Sequence, residues 1–445
     1  MKATVKNKLR QLTVEASHLV DGRWWFWCGI AGLGMIIHVG TAVLRLDSFW
    51  PQPQVVDFAA YYAGAWAIRR QAKSMLWSDD LLQFLRQNQH LTITPPILNS
   101  PPAWPWLLQP FTHLTFLPAA ILWLCLLLLL TIYTHQLLVK IAGYGNNWKL
   151  MIITFPLTLT FGPLFLNLTL GQNGIFLLLS LATLGTALQF QTTSRNYLYA
   201  ISLLVVAITA KLFPTIWLAC LIVLRRWRLL LVASVLCLSV FGFIAISRPE
   251  INQEYWFDFL PGRNQQFSIE ATVDDQSLNG FLTRIGREGT YKFPGLSVSD
   301  KHQVTWRYPW NFSAKAIQLT SYSLLFVLGL GLIFAWANNK GQDADAILYS
   351  LALFSVLLLA HMERYNHIIA LPAMAWLWRQ KKRKIVLLAY SFFGLSRLTH
   401  LLALLPAPLG PVATGFGLLA ILVLMLGMAH ALVNYSAAGN PILVE

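Results

Sequence analysis

Charge is what this chain has least of. Only 11% of its 445 residues are Asp, Glu, Lys or Arg, while 56% are hydrophobic. A water-soluble chain carries about a quarter charged residues, so most of this surface must face lipid. Cysteine is nearly absent as well. Cys28, Cys125, Cys220 and Cys237 fall inside apolar runs with no Cys-x-x-Cys spacing, which points to small buried hydrophobes rather than disulfides or a thiolate metal site. There is no P-loop, no His-Glu-x-x-His, no Gly-x-Ser-x-Gly and no His/Cys/Asp set at ligand spacing. ATP-driven and zinc-dependent mechanisms therefore have no support.

What is present is long apolar runs punctuated by basic clusters. The net charge of +15 does not indicate a nucleic-acid partner, because the basic residues are not gathered on one soluble stretch. They sit between apolar runs: Lys2, Lys6, Lys8, Arg10 and Arg23; Lys140 and Lys149; Arg225, Arg226 and Arg228; then Arg379, Lys381, Lys382, Arg383 and Lys384. Such clusters mark cytoplasmic loops. The expectation is an all-α polytopic membrane protein with about twelve transmembrane helices and both termini cytoplasmic. The first run, Trp24 to Leu46, is too long for a signal-peptide core and reads as a retained helix.

Further spans are expected near 117–139, 150–167, 175–194, 229–246, 315–337 and 345–360, then before Arg379 and on both sides of Pro406–Pro411. Tyr197 to Leu224 is odd, with Lys211 and Pro214 in its middle. At 1.5 Å per residue each half reaches only about 20 Å, short of the roughly 30 Å hydrocarbon core. Two stunted helices would leave a cavity at Lys211. With every basic cluster inside, two long loops fall on the outer face, over residues 47–116 and 247–313. The chain reads as one membrane domain, 1–445, with these loops as elaborations. In the first loop, Phe58 to Arg70 reads as a helix lying in the membrane interface.

A few polar residues stand out. Asp57, just past the first helix, suits an N-cap and equally a general base for a hydroxyl. Lys211 is an intramembrane cation, expensive unless it faces a cavity or a partner. It fits a clamp on an anionic phosphate, against a structural ion pair. Gln172 and Asn173, in Gly-Gln-Asn-Gly, read first as a turn closing on helix amides; bordering a cavity, they would suit sugar hydroxyls. His361, Glu363, Arg364, Asn366 and His367 crowd one outer turn, and Arg397 and His400 lie inside a later apolar run. Those last two could neutralise Glu363 or hold a second phosphate. Asp79-Asp80 and Asp274-Asp275 would each suit a divalent cation, but a solvated acidic face is the commoner reading.

An ordered set of motifs runs through the chain. Asp57-Phe58-x-x-Tyr61-Tyr62 is followed by prolines at 95, 96, 101 and 102, then by Gly171-Gln172-Asn173. Ala210-Lys211-x-x-Pro214, Arg225-Arg226-Trp227 and Gln276-Ser277-Leu278-Asn279-Gly280 complete it. From about Trp24 to His367 the pattern resembles glycosyltransferase family 87, polyprenyl-phosphate-mannose-dependent mannosyltransferases with the GT-C fold. The resemblance implies a sugar, mannose first among hexoses, moved with inversion from a polyprenyl-phosphate donor to a glycolipid or glycan hydroxyl. Asp57 would be the catalytic base. Lys211, His367 and Arg364 would hold the donor phosphate, and Tyr61, Gln172, Asn173 and Asn279 would contact sugar or acceptor. His361, Met362 and Glu363 depart from the family's usual pattern near that histidine. No metal or cofactor is expected, since the lipid-linked sugar is itself a substrate. The resemblance also places the protein in the cell (inner or plasma) membrane, with its site facing the periplasm or exterior. The main alternative is a secondary transporter or lipid flippase, which also uses broken helices and intramembrane charge. A non-catalytic assembly protein on the same scaffold is a third reading.

Overall fold

The computed structural model describes residues 22–49, 55–70, 98–190, 193–262, 272–294, 301–338, 343–359 and 361–437. Apart from one hairpin, the regular secondary structure of these residues is helical. Among the described residues, six helices are long and apolar enough to cross a membrane: α1 (Gly22–Val43), α3 (Phe116–Val139, running on to Tyr144), α9 (Trp227–Ser247), α11 (Ala314–Asn338), α14 (Arg383–Leu395, running on to Leu402) and α15 (Phe416–Ala437). Their exposed faces carry large apolar side chains, among them Leu231, Leu238 and Ile246 on α9 and Phe326, Val327 and Phe334 on α11. Contiguous apolar surface of this extent belongs in lipid, not water.

The other apolar helices are shorter: α6 (Gly174–Phe190), α7 (Ser194–Ala210) and α12 (Ala344–Leu357). At 1.5 Å per residue they reach only about 21–26 Å. Most of α6 and α12 is buried, so they lie inside the bundle, between the long helices and the polar interior. A seventh span would come from α4 (Trp148–Thr160) and α5 (Gly162–Leu170), bent by 70° at their junction. Pro156 inside α4 and Pro163 in the first turn of α5 remove backbone donors there. Where the sequence leads to a dozen spans, the described residues thus hold six helices of spanning length, one bent pair and a set of shorter apolar helices. Asn147 starts α4 by accepting the Leu150 amide at 3.1 Å.

The stretch around Lys211 breaks as its sequence predicts. α7 ends at Ala210, and Lys211 itself is extended (φ −150°, ψ 140°). Pro214 then opens a 3₁₀ turn, Phe213–Trp217, that leads into α8 (Leu218–Val223).

In the first long loop, α2 (Val56–Arg69) forms where an interfacial helix was expected, but it is enclosed on nearly all sides. Phe58 stacks on Trp123 of α3 with centroids 5.1 Å apart, and Trp123 stacks in turn on Phe176 of α6 at 5.7 Å. Aromatic pairs of this kind add about 0.5–1.5 kcal/mol each beyond their buried area. This ladder fixes the start of α2, and therefore Asp57, against the helix bundle. The second loop holds α10 (Leu278–Gly286), capped by the Ser277 hydroxyl on the Gly280 amide at 2.9 Å. It also holds an antiparallel hairpin, β1 (Gly289–Pro294) with β2 (Lys301–Trp306), in the register Thr290 opposite Thr305. The hairpin is an addition to the all-α expectation. After the 3₁₀ turn Arg364–Ile369 come α13 (Ala370–Arg379), then α14 and α15.

Candidate active site

The Gly-Gln-Asn-Gly turn is the hinge of the site. α5 ends at Leu170, and Gly171 caps it in the left-handed region (φ +68°), a conformation that favours glycine. The Gln172 amide closes the cap on the Asn167 carbonyl at 2.8 Å. Backbone geometry alone therefore throws the Gln172 side chain toward α2. Its Nε2 donates to Asp57 Oδ2 at 2.7 Å, and its Oε1 accepts the Tyr61 hydroxyl at 2.8 Å. The turn does more than cap a helix. It clamps the first-turn carboxylate of α2 through an amide that is itself held.

Asn173 reaches the other way. Its Nδ2 donates to the Ala210 carbonyl at 3.1 Å and lies 3.5 Å from the Ser100 hydroxyl. The bond to Ala210 satisfies a helix-end carbonyl that the extended Lys211 leaves without its usual partner. So one turn positions both the base candidate and the break that carries Lys211.

Lys211 Nζ donates to Asn366 Oδ1 at 2.7 Å and stands 4.5 Å from the centroid of the Tyr365 ring. The Tyr365 carbonyl in turn accepts from Asn167 Nδ2 at 2.8 Å, tying the 364–369 turn to α5. Asp57, Lys211 and Glu363 are near enough to influence one another electrostatically. Yet among the described residues Asp57 and Lys211 form no ion pair; each is held by a neutral amide. Both side chains keep partial exposure while their surroundings are buried.

Burial first, and then the neighbouring Glu363 carboxylate, lift the Asp57 carboxyl from its ordinary range to about 7, against the pull of the Gln172 bond and the Lys211 charge. A carboxylate poised there takes a proton far more readily than an ordinary surface aspartate. On the far side of Glu363, burial would lower the His361 imidazole, but hydrogen bonds to Asp275 and Glu363 outweigh it and raise it to about 9. His361 is then a cation between two acids, with Asp275 at 3.4 Å and Glu363 at 3.7 Å.

The remaining sequence candidates lie elsewhere. His367 is sealed (0% exposed) against Phe393 and Gly417, and neither ring nitrogen has a hydrogen-bond partner among the described residues. Arg364 has its guanidinium on Asp274 at 3.0 Å and on the Ser396 carbonyl at 3.1 Å. Asn279 sits half-buried in the first turn of α10, and its carbonyl accepts the Thr283 hydroxyl. Asp274-Asp275 is no solvated face. Asp275 is buried and accepts the amides of Ser277 and Met362 at 2.8 and 3.0 Å, so it folds the second loop onto the 361–367 turn. Asp79-Asp80 lies outside the described residues. Sequence reasoning passed over Tyr365 and left Asn366 without a role. Their only signal was position, in a polar turn directly before a short helix.

Comparison of the chain with curated proteins and with solved structures returned no match. The model of one family does match, glycosyltransferase family 87, over residues 100–362, more than half of the chain. The matched stretch contains Gln172, Asn173, Lys211 and Asn279; Asp57 precedes it, and Asn366 follows it. An apolar bundle whose interior holds a carboxylate and a lysine, each bonded to a side-chain amide, agrees with that match: the chain belongs to glycosyltransferase family 87 and is a membrane glycosyltransferase.

Proposed function

We propose that the enzyme moves a hexose, mannose first, from a polyprenyl-phosphate donor to a hydroxyl of a glycolipid or glycan acceptor, with inversion, at the outer face of the cell membrane. The observation that carries this reading is the separation of Asp57 from Lys211. An acid and a base close enough to act on one another, yet not paired, leave one free to take a proton and the other free to meet an anion.

In the reaction, Asp57 accepts the proton of the acceptor hydroxyl as its oxygen attacks the anomeric carbon. The bond from that carbon to the phosphate oxygen breaks on the opposite face, and its electron pair leaves with the polyprenyl phosphate. Lys211 stabilises the charge that grows on the departing phosphate, exchanging its bond to Asn366 for one to the ligand. Gln172, held by Tyr61, keeps Asp57 aimed, and Asn173 fixes the helix break. Glu363, at the open side of the pair, is placed to accept from sugar hydroxyls. A lipid-linked donor would reach such a site sideways through the bundle, past the break between α7 and α8 at Lys211.

The test is transfer from polyprenyl-phosphate mannose in proteoliposomes containing the full-length protein and a lipid extract, with products read by mass spectrometry. Lys211→Ala should weaken donor binding, and Asp57→Asn should retain donor binding but form no product. Full product formation by Asp57→Asn would overturn the assignment of the base.

A further inference from the structure

Three charged residues form a row that leads from the interior of the protein out to the edge of the candidate site. At its outer end, Glu363 is extended (φ −89°, ψ 153°) at the entry to the 3₁₀ turn Arg364–Ile369, and its side chain makes no cap bond there. The backbone of the turn therefore leaves its carboxylate unused. The neighbouring guanidiniums have other partners. Arg364 is engaged with Asp274 and the Ser396 carbonyl, and Arg397 donates to the Thr41 hydroxyl and the Gly162 carbonyl, both at 3.3 Å. Among the described residues the cation on Glu363 is His361, with Nε2 3.7 Å from Oε1.

His361 is itself held from behind. Its Nδ1 lies 3.4 Å from Asp275 Oδ2, and Asp275 is fixed on every side. Its Oδ1 accepts the amides of Ser277 and Met362, its carbonyl accepts from Arg284 Nη1, and a Cβ at residue 280 would collide with Oδ2. Gln276 straps the loop a second time. Its amide donates to the Met362 carbonyl at 2.6 Å, and its Nε2 to the Thr414 carbonyl at 2.8 Å. Side-chain exposure rises along the row, from 1% for Asp275 through 13% for His361 to 48% for Glu363. The outermost carboxylate is thus both anchored and accessible, and its charge acts on Asp57 and Lys211.

A long exposed side chain loses about 1.5–2 kcal/mol of rotamer freedom when it is fixed. Here that freedom is lost on folding rather than on binding, so a ligand meets a preorganised group. A carboxylate offers about four lone-pair positions. His361 faces one oxygen, which leaves the other for hydroxyl donors, and bonds to a charged acceptor are the stronger kind. Sugar rings carry hydroxyls on adjacent carbons. A fixed carboxylate near the base can therefore hold the neighbour of the hydroxyl that reacts.

We propose that Asp275 and His361 are positioning residues that fix Glu363 to bind a second hydroxyl of the acceptor sugar, next to the one that Asp57 deprotonates. Resting on the transferase reading, this makes the reacting end of the acceptor a sugar with two neighbouring free hydroxyls, rather than an isolated alcohol.

The test is binding by intrinsic tryptophan fluorescence to the full-length protein in a non-ionic detergent. The probes are the methyl α-glycosides of mannose, glucose and galactose, then the monodeoxy derivatives of whichever binds most tightly. At least one monodeoxy sugar should bind about tenfold more weakly than its parent, as loss of a hydrogen bond to a charged group implies. Glu363→Leu should bind the parent that weakly and no longer distinguish the two; the side chain is half exposed and caps nothing, so the fold should survive. His361→Gln should lose most of the distinction, and His361→Lys, which restores a cation, should recover it. A merely structural histidine would lower the unfolding temperature and leave the ratio of the two affinities where it was. Lack of a saturable response to all three glycosides, equal binding of every monodeoxy sugar and its parent, or an unchanged ratio in Glu363→Leu would overturn the proposal. An unchanged ratio in His361→Gln would overturn the part given to His361. Since no product is measured, failure of the Asp57 and Lys211 transfer tests would leave this result standing on its own.

Discussion

Where α12 meets α13, Asp345 Oδ2 accepts directly from Arg379 Nη2 at 2.9 Å, with the carboxylate buried. Asp57 and Lys211 carry the same two charges in the same bundle, but Gln172 stands on one and Asn366 on the other. The first arrangement spends both charges on each other and holds helices together. The second holds each against a neutral amide, and at Lys211 a substrate can replace that amide. Opposite charges in an apolar interior attract strongly, so keeping them apart requires the two rigid turns, 171–174 and 364–369, that present the amides. Separation at that expense marks a site rather than a strut.

Four changes would break or sharpen this comparison. Asp57→Asn should have the largest effect, lowering turnover by about 10²–10⁴-fold, the range for loss of a general base. Its sign on stability should be the reverse of its sign on activity. The folded carboxyl titrates near 7 and an unfolded one near 3.8, so the folded state holds the extra proton between those values and loses stability as pH rises through them. Asp57→Asn should therefore match wild type in thermal unfolding at pH 4 and exceed it at pH 8. Arg379→Met should do the opposite. It leaves Asp345 buried and unpaired, which costs about 3–5 kcal/mol, seen as a lower unfolding temperature with turnover per folded molecule preserved.

Asn366→Asp would convert the open arrangement into the closed one by giving Lys211 a carboxylate in place of the amide. A charge-assisted bond is worth about 1.5–3 kcal/mol, so donor affinity should fall by roughly tenfold or more in a donor-binding assay. The smallest effect is expected of Gln172→Leu. Wild-type activity should rise with pH through about 7 as Asp57 ionises. Without the Gln172 bond, which favours the ionised form, the midpoint of that rise should move to higher pH. An unmoved midpoint would mean that the amide does not tune the base.

Local pattern made much of this visible beforehand. Apolar length set α3, α9 and α11 to within two residues of their observed ends, and Lys211 with Pro214 announced the broken helix. Asp57, Gln172 and Lys211 were each conspicuous as polar groups in apolar surroundings. What pattern could not supply was partnership. Gln172 meets Asp57 across 115 residues and Lys211 meets Asn366 across 155, and no periodicity spans such distances. His367 and Arg364 show the same gap from the other side. Both share a turn with Asn366, but a 3₁₀ turn fans successive side chains outward, so neighbours in sequence face different neighbours in space. The bend between α4 and α5 was hidden because an apolar run reads the same straight or folded.

Gly171 shows how little latitude the design leaves. A methyl group at that position would come within 2.9 Å of both Phe58, which follows Asp57 directly, and Val55, two residues before it. Anyone re-engineering acceptor choice can therefore leave residue 171 out of a variant library. Any side chain there disturbs the base and its clamp at once, so useful diversity has to be sought elsewhere, around the exposed Glu363.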